Sequence, residues 1–134
     1  MANKPRLFRP RAQPDRAVQR READKRRGSA RARGYSPAWD KASQGHLRNS
    51  PLCRYCDLIG VVSPASRTDH FYPHRTYDGV FWLKVYWVSS CEDCHNGFKQ
   101  RVERKGKPAL DALARQMDLP VLVQRPEGGW VASL

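Results

Sequence analysis

All four cysteines of the chain fall in two Cys-x-x-Cys pairs, Cys53-Arg54-Tyr55-Cys56 and Cys91-Glu92-Asp93-Cys94, with 34 residues between the inner members. Each pair turns two sulfurs toward one point, and four thiolates about 2.3 Å from one ion make a tetrahedral zinc site. A redox site of the thioredoxin kind uses a single Cys-x-x-Cys, and two disulfides need an oxidising compartment that no secretory signal suggests. Four protein ligands leave no open position, so the expected Zn²⁺ on Cys53, Cys56, Cys91 and Cys94 is structural. Such a site supplies about 10–16 kcal/mol at neutral pH, enough to hold a small core together. The gap between the pairs exceeds that of a simple zinc finger, so a substructure is expected between them.

Charge is the second constraint. The 134 residues carry 25 Lys and Arg against 13 Asp and Glu, a formal net charge of +12. A surface that basic expects a polyanion, and nucleic acid is the commonest one. Residues 1–33 hold twelve of the cations and only three acids. Their few apolar side chains (Leu7, Phe8, Val18) cannot offset chain entropy, so a disordered basic arm is expected, with a transient helix over 14–27. The arm lacks the apolar stretch of a secretory signal, and Asp15, Glu22 and Asp24 argue against a mitochondrial presequence. No run approaches the roughly 18 apolar residues of a membrane span.

Past Gly34 the composition changes. Ser36 reads as an N-cap and Pro37 as the first residue of a helix that Pro51 ends. Trp39, Ala42, His46 and Leu47 share one face of it, which makes His46 a packing residue. Residues 58–72 read as two short extended stretches about a Ser63-Pro64 turn, and 73–80 as a polar loop. The aromatic segment Phe81–Val88 is expected to be substantially buried, with Trp82, Tyr86 and Trp87 in core and zinc-site packing. A helix is expected from Ser90, as N-cap, to about Lys105. Gly106 breaks it, Pro108 starts another through about Met117, and a short strand and a turn come after it with Trp130 as a late packing contact.

The remaining histidines lie near the cysteine framework. Asp69-His70 ends an extended stretch, His74 comes in the next turn, and His95 directly follows Cys94. Asp69 and His95 could hold a divalent ion with positions open for a phosphate oxygen, and neutral His70 could deprotonate water near pH 7. Adjacent strand residues point to opposite faces, so both can serve one site only where the strand ends, bulges or bends.

These residues resemble the zinc-bound subgroup of the HNH endonuclease family, its phage and prophage members in particular. The resemblance rests on Arg33-Gly34-Tyr35, Trp39, Lys41-Ala42, Leu47, Pro51-Leu52-Cys53-Arg54-Tyr55-Cys56, Gly60, Asp69-His70 and Pro73-His74-Arg75. It continues through Phe81-Trp82, Trp87 and Cys91-Glu92-Asp93-Cys94-His95-Asn96, and so covers about half the chain. It implies an α+β fold, a small ββα-metal (His-Me finger) core stapled by the four-cysteine zinc site. It also implies metal-dependent hydrolysis of phosphodiester bonds in double-stranded DNA. His70 would be the general base, and Asp69 with His95 would hold a catalytic Mg²⁺, Mn²⁺ or Ni²⁺. Several phage members act beside the terminase in genome packaging, which extends the implied partners to a terminase and the implied location to a host cytoplasm.

Two positions depart from the family pattern. Tyr86 stands where the family has the middle Asn, which orients the base histidine. Phe98 stands where a lysine is usual, and Lys99 comes one residue later. Tyr86 and His74 are therefore candidate orienting groups, and Arg75, Lys99, Arg101, Arg104 and Lys105 candidate phosphate contacts. The expected organisation is a basic arm (1–33), a nuclease domain (34–105) and a C-terminal helix and tail (106–134). The competing expectation is a catalytically impaired, zinc-stabilised DNA-binding or docking module.

Overall fold

The computed structural model describes residues 15–27 and 33–133. By internal contacts the chain divides into two units, Met1–Tyr35 and Ser36–Leu134. In the first, helix α1 spans Arg16–Arg27, and the Asp15 carboxylate accepts a hydrogen bond from the Ala17 N–H at 3.2 Å at its start. The helix expected over 14–27 is thus present, and the remainder of the expected disordered arm lies outside the described residues. Among those residues no helix is long and apolar enough to cross a membrane.

The second unit mixes helices with two small antiparallel sheets. Helix α2 (Pro37–Asn49) starts as its sequence dictates: the Ser36 hydroxyl accepts from the Trp39 N–H at 3.2 Å, and Pro37 occupies the first turn. The short α3 (Arg54–Asp57) is the turn of the first cysteine pair. Strand β1 (Arg67–His70) pairs with β2 (Trp87–Ser90), with Asp69 opposite Val88 and His70 opposite Trp87. Of the two extended stretches expected over 58–72, only the second is a strand; the first contributes an isolated bridge between Leu52 and Pro64.

The segment after β2 departs most from a regular helix. Ser90 belongs to β2, and the cap is Cys91, whose Sγ accepts from the Cys94 N–H. Helix α4 (Glu92–Cys94) runs into a π-helical turn, His95–Lys99, and then into α5 (Gln100–Arg104). A π turn inserts one extra residue into a helix and rotates the residues beyond it. Here it brings Lys99 into the interior, with no accessible surface.

The aromatic segment is less buried than its composition suggests. Tyr86 and Val88 are fully buried and Trp87 nearly so, whereas Trp82 keeps 51% of its surface exposed and Val85 44%. A 3₁₀ turn at Lys84–Tyr86 breaks the run before β2 begins, and Trp82 lies ahead of it. The loop 73–80 buries Tyr77 and Val80 in exchange.

After Gly106, whose φ of +87° suits glycine, α6 (Lys107–Gln116) carries Leu110, Leu113 and Ala114 into the core. Strands β3 (Leu122–Gln124) and β4 (Trp130–Ala132) form a hairpin, and the Trp130 ring meets Tyr77 edge-on at 5.0 Å. Leu110, Leu113, Met117 and Leu122 join Tyr72, Tyr86, Val88 and Cys53 in one hydrophobic cluster. The residues read as a C-terminal extension therefore complete the core.

Deleting one buried Leu or Met side chain costs about 2–5 kcal/mol, against total stabilities of about 5–15 kcal/mol for a domain. A chain truncated after Lys105 loses several at once. It is accordingly expected to lose cooperative thermal unfolding, monitored by near-ultraviolet circular dichroism. A sharp transition in the truncated chain would contradict this.

Candidate functional site

The four cysteines converge. Their sulfurs all lie within 4.8 Å of one another, with Cys56 Sγ 3.8 Å from Cys91 Sγ and 3.5 Å from Cys94 Sγ. Four sulfurs bound at about 2.3 Å to one ion at tetrahedral angles lie about 3.8 Å apart. The two turns are built alike: Cys53 Sγ accepts from the Cys56 N–H and Cys91 Sγ from the Cys94 N–H, both at 3.4 Å. Burial pushes the Cys53 thiol up, but hydrogen bonds from the Cys56 and Cys91 backbone and from neighbouring thiols outweigh it and bring it down to about 7. Burial raises Cys56 and Cys94. All four are free of disulfides, and the cluster can hold a metal ion.

The β1–β2 pair and the second cysteine turn bring Asp69 and His95 together. His95 Nε2 stands 3.5 Å from Asp69 Oδ1. Asp69 is 5% exposed and His95 29%, so the pair is reached from the His95 side. The other carboxylate oxygen, Oδ2, accepts from the Tyr55 hydroxyl at 2.6 Å and meets the Lys99 ammonium at 3.0 Å. Burial and the Asp69 charge hold the Tyr55 hydroxyl well above the usual phenol range, so it stays a donor. Oδ1 is thereby the oxygen directed at His95.

His95 Nδ1 has two neighbours of opposite character, the Arg67 guanidinium at 3.0 Å and Asn96 Oδ1 at 3.2 Å. Guanidinium only donates and an amide oxygen only accepts. The two contacts call for opposite tautomers. If Nδ1 accepts from Arg67, the proton lies on Nε2 and faces Asp69 Oδ1. A proton on Nδ1 given to Asn96 forgoes the Arg67 hydrogen bond and leaves Nε2 with a lone pair beside Asp69 Oδ1. Two oxygen and nitrogen ligands about 2.1 Å from one divalent ion can stand about 3.0–3.5 Å apart, so the second tautomer fits a cation shared by the two residues.

His70 faces a different set of groups. Its ring stacks on Trp39 at 4.5 Å, tilts against Phe81 at 4.4 Å and meets His74 edge-on at 4.9 Å. His70 Nε2 is 3.1 Å from the Phe81 carbonyl, which also accepts from Trp87 Nε1 at 3.0 Å. A carbonyl only accepts, so Nε2 carries the proton and the acceptor lone pair of neutral His70 lies on Nδ1. Burial, then the neighbouring His74, pushes the His70 pKa down to about 4. At the end of β1 the Asp69 carboxylate thus meets Tyr55, Lys99 and His95, and the His70 ring meets Trp39, His74 and Phe81. Lys99 reaches both the carboxylate and the His70 carbonyl.

Two expectations about individual residues need correction. Tyr86 does not orient His70: its hydroxyl donates to the Pro120 carbonyl at 2.7 Å, and its ring packs on Tyr72 in the core. The orienting acceptor is the Phe81 backbone. Lys99 is not a surface phosphate contact: its ammonium binds Asp69 and Glu103 (2.8 Å) and donates to the His70 carbonyl at 3.4 Å. Removing one member of such a buried pair leaves an uncompensated charge, which makes Lys99 part of the framework. Arg75 and Arg104 remain exposed and line one polar groove of about 330 Å³ with Thr76, Gln100 and Glu103.

Tyr55, Arg67 and Glu103 were not singled out by the sequence, although Tyr55 lies inside a cysteine turn whose geometry fixes where its ring points. His46 packs edge-on to Trp87 at 6.2 Å, in keeping with a packing role.

No protein-family model matches the chain, and no curated protein does. Among solved structures, it is similar to the HNH endonuclease of the deep-sea thermophilic bacteriophage GVE2, crystallised with manganese ion. The identity is 24%, covering 69% of this chain and 98% of that one, with a TM-score of 0.45.

The depressed pKa of His70 links stability to pH. Below about 6.5 the unfolded chain takes up a proton on this ring that the folded chain refuses until about 4, so stability contributed by neutral His70 is present above 6.5 and lost as pH falls between those values. Melting temperatures measured across that window should fall more steeply for the wild type than for His70→Gln. Parallel curves would contradict the assignment.

Proposed function

We propose that the chain is a metal-dependent DNA endonuclease of the HNH type. The observation that carries this reading is the convergence of Asp69 and His95 on one point, with His70 at the next residue held by a backbone carbonyl in the tautomer a base requires. We assign β1, β2 and the helical segment from Glu92 to a ββα-metal core, a reading that their order in the chain supports. Zn²⁺ on the four cysteines is the structural ion that agrees with their sulfur spacing.

Double-stranded DNA is the substrate, in keeping with the net charge of +12 and with exposed Arg75, Arg101, Arg104 and Lys105. Asp69 Oδ1 and His95 Nε2, the latter with its proton on Nδ1, would hold a divalent ion, Mg²⁺, Mn²⁺ or Ni²⁺. When bound, that ion polarises a phosphoryl oxygen and stabilises the leaving alkoxide. The phosphodiester lies across the end of β1, between this pair and the His70 ring. His70 Nδ1 takes a proton from a water whose oxygen attacks phosphorus, while the bond to the leaving sugar oxygen breaks. Because His70 is held below the ordinary imidazole range, it is in the basic form throughout the neutral pH range. The Phe81 carbonyl supplies the orientation that the family takes from Asn, which favours an active enzyme over an impaired binding module.

Supercoiled plasmid incubated separately with Mg²⁺, Mn²⁺ and Ni²⁺ should be nicked or cut by the zinc-loaded protein. Loss of a general base costs about 10²–10⁴-fold, so His70→Ala should fall by that factor with DNA binding retained. Binding without cleavage under every ion would overturn the nuclease reading, and full activity in His70→Ala would overturn the role of that residue.

A further inference from the structure

Trp82 is a large apolar ring left half in solvent. It is not loosely held. Its ring contacts Trp39 at 5.9 Å, Phe81 at 5.5 Å and Trp87 at 6.0 Å, so three aromatic neighbours brace it. Two of these braces, Trp39 and Phe81, also pack directly on His70. Trp82 overlooks a groove of about 390 Å³ whose walls are Ala42, His46, Asn49, Lys84 and Trp87. His46 Nε2 is buried there with no hydrogen-bond partner among the described residues, and burial, then Arg54, holds this ring below the ordinary imidazole range. The groove thus combines a fixed aromatic ring, an amide that donates and accepts, and an ammonium. That set suits a planar heterocycle carrying an adjacent phosphate: stacking on the ring, hydrogen bonds to its edge, and Lys84 for the charge.

We propose that this groove holds an unstacked nucleobase of the DNA strand engaged at His70, so that strands with an unpaired nucleotide near the cut are the preferred substrates. The inference rests on the nuclease reading for its ligand, and on the bracing of Trp82 for its location. A base stacked on Trp82 is linked to His70 through Trp82 and then Trp39 or Phe81, which couples base capture to the end of β1 where the phosphodiester lies. A fully paired duplex cannot offer its base faces without unstacking, whereas a bulge, mismatch or single strand presents them at less cost.

The test compares a fluorescent oligothymidylate with a strand of abasic sites of equal length, which has the same phosphates and no bases. Affinities are measured by anisotropy at one fixed salt concentration, on the zinc-loaded full chain without added Mg²⁺, Mn²⁺ or Ni²⁺. Stacking of one base should favour the thymidylate by about 5- to 150-fold. Trp82→Leu should abolish that preference and leave the abasic affinity unchanged, which also reports an intact fold. Trp82→Phe should restore part of the preference, and Lys84→Gln should weaken both strands alike. Equal affinity for the two strands, or a preference that survives Trp82→Leu, overturns the proposal. Plasmid cleavage is followed in parallel, so a failed groove with normal cleavage is distinguished from a failed nuclease reading, in which base preference persists and nothing is cut.

Discussion

The convergence of four sulfurs from two turns is the constraint on which the rest of the second unit depends. The turns enclose β1, the aromatic loop and β2, and the helical segment leaves directly from the second turn. Closing that long loop has an entropy cost that β1 and β2, with four residues each, do little to offset. A metal ion joining the two turns supplies free energy of the needed order. Such an ion would also fix the distance between Asp69, in the middle of the loop, and His95, the residue after Cys94. The contact of the two side chains at 3.5 Å is thus a product of the cross-link and the strand register together.

A second layer rests on that frame. Lys99 sits without solvent between Asp69 and Glu103, and Tyr55 adds a hydrogen bond to the same carboxylate. This arrangement neutralises a buried carboxylate while leaving its other oxygen directed at His95. The π turn is what makes it possible, because an uninterrupted α-helix would rotate position 99 by a further residue. One residue displaced in the chain is absorbed as one residue of extra helix. The same side chain that a linear alignment treats as a misplaced phosphate contact becomes the counter-charge of the site.

Much of the fold was legible because its signals are local. Ser36 and Pro37 mark a helix start by their own chemistry, Gly106 marks a break as a glycine, and the spacing of the cysteines brings four sulfurs to one place. Asp69 and His95 could be paired in the sequence because each is tied to an element whose position the sulfurs dictate. What stayed hidden has no residue signature. The acceptor that orients His70 is the backbone carbonyl of Phe81, which any residue would supply, so the eye falls instead on Tyr86, whose hydroxyl is used elsewhere in the core. The exposure of Trp82 and the burial of Leu110, Leu113 and Leu122 in one cluster with Tyr72 and Tyr86 are tertiary outcomes, decided by contacts distant in the chain.

The four-sulfur cluster of Cys53, Cys56, Cys91 and Cys94 is therefore the element on which this unit rests, and an ion held there would join its two turns. The decisive measurement is metal content by mass spectrometry on the purified full chain, followed by near-ultraviolet circular dichroism during chelation with all thiols kept reduced. One tightly held zinc per chain is expected, with loss of the aromatic signal from Trp39, Trp87 and their neighbours in step with its removal. A chain that contains no metal, or that keeps its aromatic signal unchanged after the ion is gone, would contradict that role.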